Sequence, residues 1–465
     1  MVEKPSFSKV SFNPNYLPLD YDANLISKAM QKAKEKNQWV LVFVIGTKPC
    51  YYKFYGSIVE AERQDIPYII INSNQHYDSV LTQGSIELDY LNRTSVNLNI
   101  RGDLAQKSAE LFTKIDWFAK YLKKEWPSVP ALPVVLGDTI MCGIVPAAWM
   151  FSRGEKAIHN EAGLRAMTPR SMKNALSLSP KEFVESQFTQ DWELLTSEPF
   201  PEQWDSFVGS KASEYLFAPL NLNKEHLIRE GHPSRKIFVT GGVVIEAFDK
   251  RMKEKPSKSI FSLYPVLREG KWIRVDIHRK ENQSESRFKS IISCISGLVD
   301  EGYNVCFVEM NTSKESIDKY GLRQKIEELK QKKNFLHTLV WPEYSQVLEF
   351  YSSDNCLAAL TDSGGVQEEM NLLGKPCLTV RYSTDRPETV KDAHSNVLIP
   401  PINGSFMVET IKYILSNKEL MNSFSVCPRI YERGVARKFI STLKEVMSKG
   451  SPFEWADDEL GLSVK

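Results

Sequence analysis

Short, wholly apolar runs recur along the chain: WVLVFVIG (39–46), YIIIN (68–72), PVVLG (133–137), YLFAP (215–219) and KIFVTGG (236–242). Each has the length of a strand, and the intervals between them are helically patterned. Strands buried on both faces and alternating with helices form parallel sheets, so this half predicts a doubly wound α/β domain. The pattern breaks at a charged, proline-containing stretch, RMKEKPSKS (251–259), and restarts with WIRVDIH (272–278), NVCFVEM (304–310), CLAALTD (356–362) and PCLTVR (376–381). A second α/β domain therefore begins near 250. The expected division is 1–249, 250–435 and a tail, 436–465. In the tail Phe439, Ile440, Leu443, Val446 and Met447 fall on one helical stripe that must dock on another surface.

Charge and composition narrow the function classes. Lys plus Arg total 59 against 58 for Asp plus Glu, so the net charge of +1 offers no field to recruit nucleic acid or an anionic membrane. The most apolar stretch, 134–151, is interrupted by Gly137, Asp138 and Gly143, which excludes a membrane span there. The start carries Glu3, Asp20 and Asp22 among prolines and has no apolar core, so neither a secretory signal nor a transit peptide is expected, and the location expected is cytoplasmic. The seven cysteines form no CxxC pair, which points to a reducing compartment and no metal site. Neither GxGxxG nor GxxxxGK[ST] occurs, and no cofactor is expected.

The strongest local signal is TDSGGVQEEMNLLGKP (361–376). A buried strand ends at Thr361, a Ser-Gly-Gly turn follows, and a helix is expected from near Val366. Glycine lets backbone approach a phosphate, a helix N-terminus presents unpaired N–H groups, and Ser363 adds a hydroxyl. Ser363, Gly364 and Gly365 thus read as a diphosphate cradle, although an isolated SGG also suits a plain turn capped by Asp362 or Ser363. Of the paired Glu368 and Glu369, only one can face inward, where a carboxylate would accept from the two hydroxyls of a ribose.

This block, with LGKP and RYSTDRPE (381–388), resembles the nucleotide-binding signature of the non-hydrolysing UDP-N-acetylglucosamine 2-epimerases. Other blocks similar to that family follow its order: GTKPCYYK (46–53), NQHYD (74–78), LGDT (136–139), HNEAGLR (159–165), VTGGVVIEA (239–247), HRKEN (278–282) and WPEY (341–344). The resemblance spans roughly 40–445. It implies the glycosyltransferase-B architecture: two facing Rossmann-like domains, a UDP-sugar in the cleft, and a C-terminal helix crossing back to the first domain. It also implies a homodimer that supplies precursors for surface polysaccharide. The implied chemistry eliminates UDP to a glycal and adds it back with the proton on the other face of carbon 2.

On this resemblance Asp138, Glu161 and Glu202 match the family's catalytic carboxylates, and His278 matches a histidine facing the substrate near the diphosphate. Asp138 and Glu161 also directly follow buried strands, where open α/β sheets bind ligands. Lys53 matches an active-site lysine, Lys48 replaces the usual arginine, and His76 matches as well. Glu369 is the expected ribose partner. Arg165 and Arg386 either hold sugar or phosphate or brace the loops around them. Two other outcomes remain open: a hydrolysing relative that releases UDP and N-acetylmannosamine, and a glycosyltransferase on the same fold.

The pattern departs in places. Cys50 stands where the family has Glu, Met310 where it has His, and RGDL (101–104) where a glutamine motif helps hold a second UDP-sugar. Activation by substrate is therefore not expected. Residues 166–200 intervene between the AGLR block and Glu202, as a surface helical pair, a dimer surface or a lid.

Overall fold

Helices cover both faces of the apolar runs, and the first-half runs assemble into one eight-stranded sheet. A computed structural model describes residues 19–73, 88, 90, 92–447 and 456–462. The strands are β1 (Asp20–Tyr21), β2 (Val40–Ile45), β3 (Tyr68–Asn72), β4 (Val96–Asn97), β5 (Ala131–Leu136), β6 (Ala157–Asn160), β9 (Ser213–Ala218) and β10 (Ile237–Val239). A separate antiparallel pair, β7 (Met167–Pro169) and β8 (Trp192–Leu194), lies between β6 and β9 in the chain. The large sheet runs β1-β4-β3-β2-β5-β6-β9-β10, and only the β1–β4 pairing is antiparallel.

The second half forms a six-stranded parallel sheet from β11 (Trp272–Asp276), β12 (Asn304–Glu309), β13 (Phe335–Leu339), β14 (Cys356–Thr361), β15 (Cys377–Thr379) and β16 (Asn396–Leu398). Its order is β13-β12-β11-β14-β15-β16. In both sheets the strand order reverses once, between β2 and β5 and between β11 and β14. The crevice beyond the carboxyl ends at such a reversal is where doubly wound sheets take ligands.

The tail stripe docks as the fold class requires. The helix Val435–Met447 returns to the first half, where Phe439, Ile440 and Leu443 enter the core that holds Phe43, Phe54 and Phe217. The Phe439 ring meets Phe217 edge-on at 4.6 Å. Each such side chain contributes about 1.5–3 kcal/mol on burial, enough to hold a helix that propensity alone would leave marginal.

Residues 166–200 pack on the second half of the molecule. The helix Pro180–Gln187 is capped reciprocally by Ser179 and Glu182. It buries Phe183 against Phe406 at 5.1 Å and sends Val184 into the second-half core. Gln187 is fully buried: its amide donates to Leu398 O at 3.0 Å and accepts from Leu398 N at 2.8 Å, extending the edge of β16. The segment is a strap between the two sheets.

Candidate functional site

The first wall of the crevice is built at the ends of β5 and β6. Gly137 has a positive φ of 64°, and an added Cβ there would meet Glu161 Oε2 at 3.2 Å. His159, wholly buried, bridges Gly137 O at 2.8 Å and Ser210 Oγ at 3.1 Å, fixing this turn. Burial lowers the His159 pKa to about 4, so the ring is neutral in its structural role. Asp138 follows the turn. Thr139, not Asp138, sits at the N-cap of the helix Ile140–Arg153 and makes no side-chain cap bond, so Asp138 is not taken up by capping.

A second carboxylate group reaches the same place from the helix Glu202–Lys211. Gly143 allows this approach, because a Cβ there would collide with Asp205 and come within 2.8 Å of Trp204. Burial, then the charges of Asp138 and Glu202, push the Asp205 carboxyl up to about 7. Burial also raises Glu202, with the Arg279 guanidinium at 3.2 Å opposing it.

Glu161 sits at the end of β6 in the left-handed region, φ 57°, and is almost fully buried. Its Oε2 accepts from Lys53 Nζ at 2.6 Å, and its Oε1 has no protein partner. Lys53 lies on the helix Lys48–Arg63, which begins just after β2. Burial works against the Lys53 charge, but Glu161 and then Glu368 outweigh it and hold the pKa above the ordinary value. Glu368 and Arg386 belong to the second half, so charges of alternating sign meet across the crevice. Arg386 is buried and donates to Glu368 Oε1 at 2.9 Å and Asp385 Oδ2 at 2.8 Å.

The opposite wall is organised by Asp362, fully buried at the end of β14. Its carboxylate accepts from the backbone of His278 and Arg279 and from Asn282 Nδ2 at 3.0 Å. Asp362 therefore shapes the loop after β11 instead of capping a helix. The His278 Nδ1 lies 3.1 Å from Asp362 Oδ1 without a directed hydrogen bond, and the ring is about a third exposed. The helix expected near Val366 starts earlier, at Gly364, with Ser363 at the N-cap and no side-chain cap. An added Cβ at Gly365 would meet nothing within 4 Å, and one at Gly364 would lie 3.4 Å from Asp385 and 3.9 Å from Arg279. The first turn thus opens on a space bordered by Arg279, with the free backbone donors an anion needs.

Further along that helix, Glu369 is buried and accepts a hydrogen bond from the Tyr344 hydroxyl. Burial raises its carboxyl to about 7, against the lowering effect of Tyr344 and Arg251. Arg251 lies over the Tyr52 ring at 3.2 Å and the Tyr344 ring at 4.2 Å, linking the halves.

Arg165 is buried and engaged by partners within the first half. Its guanidinium forks onto Glu230 at 2.7 and 2.8 Å and donates to Leu164 O and Ser206 Oγ, so it braces the chain after β6. His76 and the Lys48 side chain lie outside the described residues. Arg279, Asp205 and Tyr344 were not singled out from sequence. Arg279 stands beside His278 in HRKEN, and no local pattern in that block encodes its reach to Glu202. Asp205 could have been found as the carboxylate one helical turn after Glu202.

The family model described as UDP-N-acetylglucosamine 2-epimerase matches residues 196–444, more than half of the chain. The chain belongs to this family. Among curated relatives, the Methanocaldococcus jannaschii UDP-N-acetylglucosamine 2-epimerase is 29% identical over 387 residues, 81% of this chain and 93% of that protein. The Neisseria meningitidis enzyme of the same name is 29% identical over 409 residues, 85% of this chain and 96% of its own length. The M. jannaschii enzyme solved with UDP-GlcNAc and UDP matches with a TM-score of 0.68 at 25% identity, over 88% of this chain and 99% of that one. The Staphylococcus aureus MnaA–UDP structure gives a TM-score of 0.71 at 21% identity, over 90% of this chain and all of that one, and speaks to the fold alone. The two facing doubly wound halves and the returning tail helix are the glycosyltransferase-B architecture of this family.

Proposed function

We propose that the chain is a UDP-N-acetylglucosamine 2-epimerase that interconverts UDP-GlcNAc and UDP-ManNAc in the crevice between its two sheets. The single observation that carries this reading is the Lys53–Glu161 pair. It sets a buried carboxylate oxygen without a protein partner just after a strand end, within electrostatic reach of Glu368 on the helix that starts at Gly364. In this reading Ser363, Gly364 and Gly365 hold the diphosphate, with Arg279 and His278 beside it, and Glu369 exchanges Tyr344 for the ribose hydroxyls. A carboxylate takes the proton from carbon 2 while the bond from carbon 1 to the diphosphate oxygen breaks, leaving the glycal and UDP. Return of UDP re-forms that bond as a proton is delivered to the opposite face of carbon 2. Glu161 with Lys53 serves one face. Asp138 and Glu202 serve the other, and burial of Glu202 suits it to donate a proton.

The reading divides the chain at about 250 into a half that carries the acid–base groups and a half that holds UDP. It describes a cytoplasmic homodimer supplying precursors for surface polysaccharide or glycoconjugates. Incubation with UDP-GlcNAc in D2O, followed at carbon 2 by NMR, tests the chemistry. Deuterium in an interconverting pair of UDP-sugars is expected. Free sugar plus UDP would make the chain a hydrolysing relative, and unchanged substrate would leave a glycosyltransferase awaiting an acceptor.

A further inference from the structure

The strap 166–200 belongs by connectivity to the first half and by packing to the second. It leaves the first sheet just after Arg165 and returns at Glu202, the first residue of its helix. Between these points Met167 and Thr384 exchange both backbone hydrogen bonds, at 2.8 and 2.9 Å. Gln187 adds its fork to Leu398. The final fastening is Glu198, whose carboxylate accepts from both terminal nitrogens of Arg287 at 2.8 and 3.0 Å, four residues before Glu202. Arg287 is itself placed over the Tyr382 ring at 4.8 Å. The two halves therefore cannot part without either unzipping the strap or drawing Glu202 away from Asp138.

We propose that Glu198 and Arg287 form a latch that positions Glu202, so that the second half carries this carboxylate into the acid–base group. The proposal rests on the reading of Glu202 as an acid–base residue. A bidentate carboxylate–guanidinium pair fixes direction as well as distance, which is what a positioning contact needs. Its partners are 24% and 29% exposed, so a partner left alone by truncation still reaches water.

The test uses the full chain with Glu198→Ala, Arg287→Ala and the double swap Glu198→Arg with Arg287→Glu. Steady-state epimerisation and hydrogen exchange over 190–205 are measured together. Each single variant is expected to lower kcat about tenfold to hundredfold, through misplacement of Glu202, with KM for UDP-GlcNAc nearly unchanged. Exchange over 195–203 rises, and the swap restores most of kcat. Wild-type kcat in both single variants overturns the proposal, as does a loss confined to KM. If the wild-type chain epimerises nothing, the functional reading fails on its own. The latch then stands or falls on exchange, and unchanged protection in the single variants overturns it.

Discussion

Glu161 keeps a left-handed backbone that costs a non-glycine residue about 1–3 kcal/mol, and β6 has already ended, so no strand pairing requires it. Its surroundings offset the cost: the backbone N–H donates to Asn160 Oδ1 at 3.0 Å and the carboxylate is pinned by Lys53. Strain held in this way supports the acid–base role proposed for Glu161. Glu161→Gln keeps the shape and removes the proton acceptor, so kcat is expected to fall about 10²- to 10⁴-fold. Affinity for UDP, whose proposed contacts lie on the second half, stays near wild type by calorimetry. Asp205 makes a different prediction. Its carboxyl titrates at 3.8 when unfolded and near 7 when folded, so the native state holds the proton more tightly. Its favourable contribution is complete below the unfolded value and is lost as pH rises to about 7. Melting temperatures of wild type and Asp205→Asn, compared between about pH 5 and about pH 8, should therefore shift in favour of the variant as pH rises.

At the scale of elements, the helix Gly364–Leu373 separates the needs of folding from those of binding. Gly365 has open space where a methyl would go and ordinary helical geometry, so Gly365→Ala should leave the melting temperature unchanged or slightly higher. The same methyl occupies the approach to the first turn, and UDP affinity is expected to drop at least about tenfold, measured by calorimetry. The central strands were legible in sequence because both faces are covered and their residues are apolar, throughout in β2 and up to the closing Thr361 in β14. β13 and β16 lie at the two edges of the second sheet. There His337, Thr338 and Asn396 interrupt the apolar run, and the strand signal fades. The SGG turn was legible because it directly follows a readable strand, whereas Asp138 and Glu161 stood out through the family resemblance. Arg279 and Arg251 were not legible, since their roles arise from contacts across the crevice that no local pattern encodes. The destination of 166–200 was hidden for the same reason. Phe183 and Gln187 look like ordinary helix residues until the β16 edge is beside them.

For the molecule as a whole, the ties between the two sheets among the described residues include the strap, the Arg251 stack between Tyr52 and Tyr344, the Arg279–Glu202 pair and the returning tail. The tail contributes most to the first-half core. Phe439→Ala empties a site with no solvent exposure and should cost about 3–5 kcal/mol, read from the denaturant midpoint. The tail also sets an order of events during synthesis. Once β16 and the two helices Gly404–Ser416 and Lys418–Val426 have left the ribosome, the second half has all its strands and the residues of its own core. The first half, made earlier, keeps an uncovered groove beside Phe217 until Val435–Met447 clears the exit tunnel. The half that is translated first is thus the last to be finished, because its core waits for a helix made after the whole of the second sheet.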